Sequence, residues 1–125
     1  MVQVFLAIAA VLGGSSVAAG AFGSHALREQ LSDRALAIFE TGVRYQMYHA
    51  LVLLAVGLWL RGMTTVPLPL AIAGWSFVAG VVLFSGSLYG LSLSGIKILG
   101  AIAPLGGACL LVGWGCLAIA AVKAL

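Results

Sequence analysis

Long uncharged stretches alternate with short polar breaks along this chain. Residues 1–27, 45–60, 62–96 and 98–122 contain no Asp, Glu, Lys or Arg. The charged residues are Arg28, Glu29, Asp33, Arg34, Glu40, Arg44, Arg61, Lys97 and Lys123. A helix needs roughly 20 mostly apolar residues to cross about 30 Å of hydrocarbon. A charge at its centre costs about 2.5–3.5 kcal/mol on insertion scales. The pattern therefore predicts four membrane-spanning helices, over about 4–22, 43–60, 70–91 and 98–122.

The segment 24–42 has a different period. Leu27, Leu31, Ala35, Leu36, Ile38 and Phe39 recur at helical spacing, with Arg28, Glu29, Asp33, Arg34 and Glu40 on the other face. That predicts an amphipathic helix lying at the membrane surface between spans one and two. Ser24 and Ser32 are candidate N-caps, and Asp33 suits a first turn. Gly42 is expected to turn the chain into the second span. MTTVPLP (63–69) reads as a loop that Pro67 and Pro69 close, and LSGIK (93–97) as the last turn. Pro104 falls inside the fourth span, where it is expected to free the Gly100 carbonyl and kink the helix. The expected fold is an all-α membrane protein: a four-helix transmembrane bundle, with residues 1–125 as a single domain.

Composition narrows the reading further. Hydrophobic residues make up 63% of the chain and charged residues 7%, against about 25% charged in soluble domains. A water-soluble monomer would lack a polar surface. The net charge of +3 is scattered, which argues against nucleic acid and leaves topology as its use. Arg28, Arg34, Arg44 and Lys97 fall on loops one and three, against Arg61 and Lys123 on the other side. The positive-inside rule then places loops one and three in the cytoplasm and both termini outside. VAAGA (17–21) would suit signal-peptide cleavage, but no Lys or Arg precedes the apolar core, so residues 1–23 are read as a retained helix. Cys109 and Cys116, about 10.5 Å apart on one helix, are too distant for a disulfide and read as small packing residues.

Four spans bring the end of the first helix, the start of the second, the end of the third and the start of the fourth to one membrane face. The unusual residues gather there: GAFGSH (20–25), RYQMYH (44–49), FSGSLYG (84–90) and LGAIAPLGG (99–107). The candidate cluster is His25, Glu40, Arg44, Tyr45, Gln46, Tyr48, His49, Ser85, Ser87 and Tyr89. At i,i+4 spacing Glu40 reaches Arg44, Arg44 reaches Tyr48, and Tyr45 reaches His49. Gly86 and Gly90 form a GxxxG pair, and Gly106 and Gly107 give the fourth span a small face.

Intramembrane ionisable groups are expensive, which makes a functional role the first reading. The structural alternative is that these groups satisfy one another and lock the bundle. Two histidines suggest haem ligation from opposite faces, and Tyr48, His49 and Ser85 suggest hydrogen bonds to a quinone or lipid headgroup. A zinc site would need about four ligands, which the sequence does not assemble. No nucleophile elbow, phosphate loop or paired intramembrane carboxylate is present, so neither an enzyme nor a carboxylate-driven antiporter is expected.

GAFGSHAL (20–27), YQMYHALVLL (45–54), FSGSLY (84–89) and LGAIAPLGG (99–107) resemble, in order, blocks of the domain-of-unknown-function 423 proteins. That family comprises small bacterial membrane proteins and the animal transmembrane protein 256-like proteins. The resemblance spans nearly the whole chain. It implies a multi-pass membrane protein of this length and brings no activity, substrate or catalytic residue with it. The leading expectation is a non-enzymatic accessory or structural subunit that docks through small-residue faces onto a larger membrane complex or onto itself, with lipids around it and no resident cofactor. A small transporter or channel-like oligomer, or a lipid- or quinone-binding protein using the His49 cluster, are the alternatives.

Overall fold

A computed structural model describes residues 1–124. Four helices carry the fold: α1 (Val2–Phe22), α2 (Asp33–Leu60), α3 (Leu68–Ser94) and α4 (Ala103–Lys123). Each is long and apolar enough to cross a membrane, and the described residues contain no strand. A π-helical turn, Gly23–Leu27, extends α1, and a 3-10 turn, Lys97–Ala101, precedes α4. Each helix packs chiefly on its neighbour in sequence: α1 on α2, α2 on α3, and α3 on α4. The four-helix bundle expected from hydropathy is present, with α1 and α4 at its two edges.

The helix ends follow local chemistry. The Ser32 hydroxyl accepts a hydrogen bond from the Ala35 N–H at 3.1 Å and caps α2, with Asp33 in the first turn. Replacing this cap, Ser32→Ala, is expected to lower stability by about 1 kcal/mol. Titration with a denaturing detergent, followed by circular dichroism, measures it, and Ser32→Asp should restore the loss. Gly95 ends α3 in the left-handed region at φ 71°, with its N–H bonded to the Leu91 carbonyl, a conformation that costs glycine nothing. Pro69 stands in the first turn of α3, where proline's missing N–H does no harm.

Four expectations about helix boundaries require correction. The segment 24–42 does not form a separate surface helix. The chain turns over residues 28–32, and from Asp33 a continuous helix runs to Leu60. The buried residues of α2 explain the continuity. Phe39, Gly42, Gln46, His49, Leu53, Val56 and Leu60 follow one another at alternating spacings of three and four, a single seam for helix packing, so nothing interrupts the helix at residue 42. At 1.5 Å per residue α2 is about 42 Å long, which exceeds the hydrocarbon thickness. Its charged first turns extend beyond the apolar zone.

Gly42 is therefore no turn. It lies mid-helix, where an added Cβ would come within 2.9 Å of the Tyr89 ring. Ser24 does not cap a helix either: its hydroxyl donates to the Gly20 carbonyl at 2.8 Å. Pro104 starts α4 rather than kinking it, because the residues before it wind as the 3-10 turn.

Lipid tails are as apolar as leucine, so close packing and hydrogen bonds hold membrane helices together. Here glycine makes the close packing. On α4, Gly106 lies against the Phe84 backbone, Gly113 receives the Phe77 ring, and Leu110 packs onto Gly80 of α3. Gly74 of α3 accommodates Phe5 from α1. The apolar core, with Phe5, Leu53, Val56, Leu60, Leu70 and Phe77, fills the end of the bundle nearest the α2–α3 loop. The GxxxG pair Gly86 and Gly90 joins no two spanning helices: a Cβ on Gly86 would meet nothing within 4 Å, and one on Gly90 would meet Leu99 of the 3-10 turn.

Candidate functional site

The polar residues on the buried seam of α2 turn two ways. On the side facing α1 and α3, Gln46 is the centre. Its amide nitrogen donates to the Leu12 carbonyl and to the Ser15 hydroxyl, each at 2.8 Å. Its amide oxygen accepts from the Tyr89 hydroxyl at 2.6 Å. One turn away, Ser85 of α3 donates to the Gly42 carbonyl at 2.7 Å, and Ser16 of α1 donates to the Val43 carbonyl at 2.9 Å. These bonds tie α1, α2 and α3 together. No buried side-chain nitrogen or oxygen is left without a partner among the described residues.

On the side facing α4, His49 is buried at the floor of a cleft. Its Nδ1 lies 2.7 Å from the Tyr45 carbonyl, and the Trp114 indole N–H donates to its Nε2 at 3.2 Å. A carbonyl can only accept and an indole N–H can only donate, so these partners assign the tautomer protonated at Nδ1. The His49 ring stacks on Tyr45 with centroids 6.0 Å apart and packs on Phe77 at 5.7 Å. Tyr45 in turn lies 4.6 Å from Phe84. His49, Phe77 and Trp114 fall in the middle third of α2, α3 and α4 respectively. The histidine is therefore at mid-depth of the bundle and not at its rim.

The cluster expected from sequence thus divides. Gln46, Ser85 and Tyr89 form one network; Tyr45, Tyr48 and His49 line the cleft. Glu40 and Arg44 form an exposed i,i+4 ion pair at 3.7 Å. Ser87 turns back to the Phe84 carbonyl of its own helix. His25 is exposed in the π-helical turn. The neighbouring Gly23 packs on Phe39, and from Phe39 to His49 is about 15 Å of helix, so the two histidines do not face one site. Ser85 points its hydrogen bond at Gly42, away from Tyr48 and His49. Among the described residues no group of three or more His, Cys, Asp or Glu is placed to hold a metal ion. Cys109 and Cys116 are free.

Ser15, Ser16 and Trp114 belong to these networks and were not singled out by sequence reasoning. Their signal is position. Ser15 and Ser16 are hydroxyls inside an apolar span, where partners are found across helices. Trp114 lies mid-span, whereas tryptophan favours the interface, and its N–H there requires an acceptor.

The cleft itself has a volume of about 680 Å³. It runs between α2 and α4 from Tyr45, Tyr48 and His49 to Pro104, Gly107, Ala108, Leu111 and Trp114, with Phe84 of α3 beneath. No charged side chain lines it.

Comparison with known proteins places this architecture. The family profile described as a protein of unknown function, DUF423, matches residues 19–107. A UPF0382 membrane protein of Staphylococcus epidermidis is 45% identical over 121 residues, covering 97% of both chains. The UPF0382 membrane protein YwdK of Bacillus subtilis is 45% identical over 124 residues, covering 97% of this chain and 98% of its own. A UPF0382 membrane protein of Staphylococcus aureus is 42% identical over 121 residues, with 97% of each covered. No solved structure matches. With the family profile across most of its length and such relatives end to end, the chain belongs to the DUF423 family of multi-pass membrane proteins.

Proposed function

We propose that this protein is a non-enzymatic accessory or structural subunit of the bacterial inner membrane, docking a small-residue helix face onto another membrane-spanning helix. The observation that carries the reading is the outer face of α1. Ala7, Ala10, Gly14, Ala18 and Ala21 are all exposed, and a Cβ on Gly14 would meet nothing within 4 Å. Ala10, Gly14 and Ala18 repeat at every fourth residue, the spacing that lets two helix backbones approach closely. Val4, Val11 and Val17 are exposed beside this row and Phe22 ends it, and the exposed face of α2 carries Leu51, Leu54 and Leu58. As an edge helix packed chiefly on α2, α1 has this face available.

Two further features support a scaffold role. Among the described residues every buried side-chain nitrogen and oxygen has a hydrogen-bond partner, and these bonds run between helices, as from Ser16 to Val43 and from Ser85 to Gly42. The proposed orientation puts the α1–α2 and α3–α4 connections in the cytoplasm and both termini outside, from the distribution of Lys and Arg. A reporter fused to the C-terminus tests it; activity of a cytoplasm-dependent reporter would reverse it.

Native gels of membranes solubilised in mild detergent test the docking. The protein is expected to migrate far above its own mass, and Gly14→Leu is expected to return it to a monomer without changing its thermal midpoint. A wild-type chain that runs as a monomer would refute the proposal.

A further inference from the structure

The cleft between α2 and α4 has a composition suited to one kind of occupant. α2 and α4 run side by side over α3, and the hydrogen bond joining them is Trp114 to His49. Between Pro104 and Trp114 they stand apart for about 15 Å of helix, leaving the space of about 680 Å³. Specific small-molecule pockets fall within about 300–1,000 Å³. The walls are aromatic: Tyr45, Tyr48, His49, Phe84 and Trp114. Leu111, Tyr48 and Trp114 are about half exposed or more, so in a bilayer the cleft opens sideways to lipid rather than to water.

The polar groups decide the chemistry. Both nitrogens of His49 and the N–H of Trp114 are already engaged with each other and with Tyr45. The remaining donors are the hydroxyls of Tyr45 and Tyr48, which have no hydrogen-bond partner among the described residues. A phenol donates to a carbonyl or hydroxyl oxygen. With no Lys, Arg, Asp or Glu in the lining, nothing there balances a phosphate or a carboxylate, and phospholipid headgroups are recognised by basic residues. Aromatic rings packed at 4.6 Å (Tyr45–Phe84) and 6.0 Å (Tyr45–His49) line the space for a flat ring.

We propose that this cleft is a binding site for a neutral membrane lipid with a flat, carbonyl-bearing ring and an apolar tail, the quinone class. The ring lies among Tyr45, Tyr48 and Phe84 and accepts a hydrogen bond from a tyrosine. The tail follows the Gly107–Ala108–Leu111 face of α4. Gly107 keeps that wall shallow: even a Cβ there would only just reach Phe84, at 4.0 Å. The site binds; no electron transfer is assigned to it.

Trp114 supplies the measurement. In a Trp59→Phe/Trp75→Phe background, in phosphatidylcholine nanodiscs, Trp114 is the only tryptophan fluorophore. Titration with decylubiquinone is expected to quench it saturably, at one site per chain. Tyr48→Phe, at an exposed side chain, is expected to weaken binding about fivefold, the value of one net hydrogen bond. Ala108→Phe, also at an exposed position, fills the cleft and is expected to abolish saturation while circular dichroism and the thermal midpoint stay unchanged. Quenching that rises linearly with quinone content, equally in Ala108→Phe, would mean random encounter in a cleft filled by phospholipid chains, and would overturn the proposal. If Ala108→Phe does not fold, Tyr45→Phe/Tyr48→Phe decides in its place: an unchanged affinity in that variant would equally overturn it.

Discussion

Gly106→Val is expected to abolish the folded bundle, and Gly106→Ala to destabilise it by about 1–3 kcal/mol. A Cβ on Gly106 would overlap the Phe84 backbone, lying 2.7 Å from its Cα. A flexible side chain can move away from such a clash; a helix backbone cannot. The helices would have to separate along the most extensively packed pair in the fold, and the seats of Phe77 on Gly113 and of Leu110 on Gly80 would open with them. Alanine gains up to about 1 kcal/mol over glycine in helix propensity, so the overlap must exceed that gain before any loss appears. Gly115→Ala provides the control on the same helix. A Cβ there meets nothing within 4 Å, so only the propensity gain remains and stability should hold or rise. Unfolding in a denaturing-detergent titration separates the two. Equal stability of Gly106→Ala and Gly115→Ala would mean that α3 and α4 do not cross at Phe84.

The expectations that held and those that failed have a common explanation. The four spans were legible because insertion energy depends on charge and length, both one-dimensional properties of the chain. The Ser32 cap and the turn at LSGIK (93–97), where Gly95 ends α3, were legible because they are local. Of the amphipathic segment only residues 33–42 are α-helical as expected, and they are not independent, since the Phe39–Gly42–Gln46 spacing that fuses them to the span is a packing seam visible only once α1 and α3 lie against it. Proline 104 reads as a kink or as a helix start depending on whether residues 97–101 are α-helical, and the 3-10 turn decides that. GxxxG pointed to Gly86 and Gly90, whereas the close approaches fall at Gly80, Gly106 and Gly113, because which face of a helix meets a neighbour is not encoded in a four-residue spacing. The i,i+4 pairs Glu40–Arg44 and Tyr45–His49 were foreseeable. The long-range partners Gln46–Leu12 and His49–Trp114 were not, since their registers are set by the helix crossings.

Gln46→Leu is expected to cost about 2 kcal/mol, and the cost should fall when Tyr89→Phe is added. Gln46 occupies three partners at once, on α1 and α3. Leu12's carbonyl and Ser15's hydroxyl lie in a helix that retains its own bonds, and the Ser15 hydroxyl still donates to Leu12 at 3.2 Å. The Tyr89 hydroxyl has no such alternative and becomes an unpaired donor between helices, a penalty of about 1–3 kcal/mol. Tyr89→Phe alone leaves the Gln46 amide oxygen without that donor and should cost about 1 kcal/mol. Removing both groups removes the unpaired donor along with its acceptor, so the double variant should be more stable than the sum of the singles by about 0.6–1.7 kcal/mol, from the average to the largest such coupling between membrane helices. The Phe39–Tyr89 ring contact, with centroids 5.0 Å apart, survives in Tyr89→Phe, which keeps packing constant around the cycle. Strict additivity of the two substitutions would show that the hydroxyl and the amide do not meet, and would remove the principal polar link between α2 and α3 from this fold.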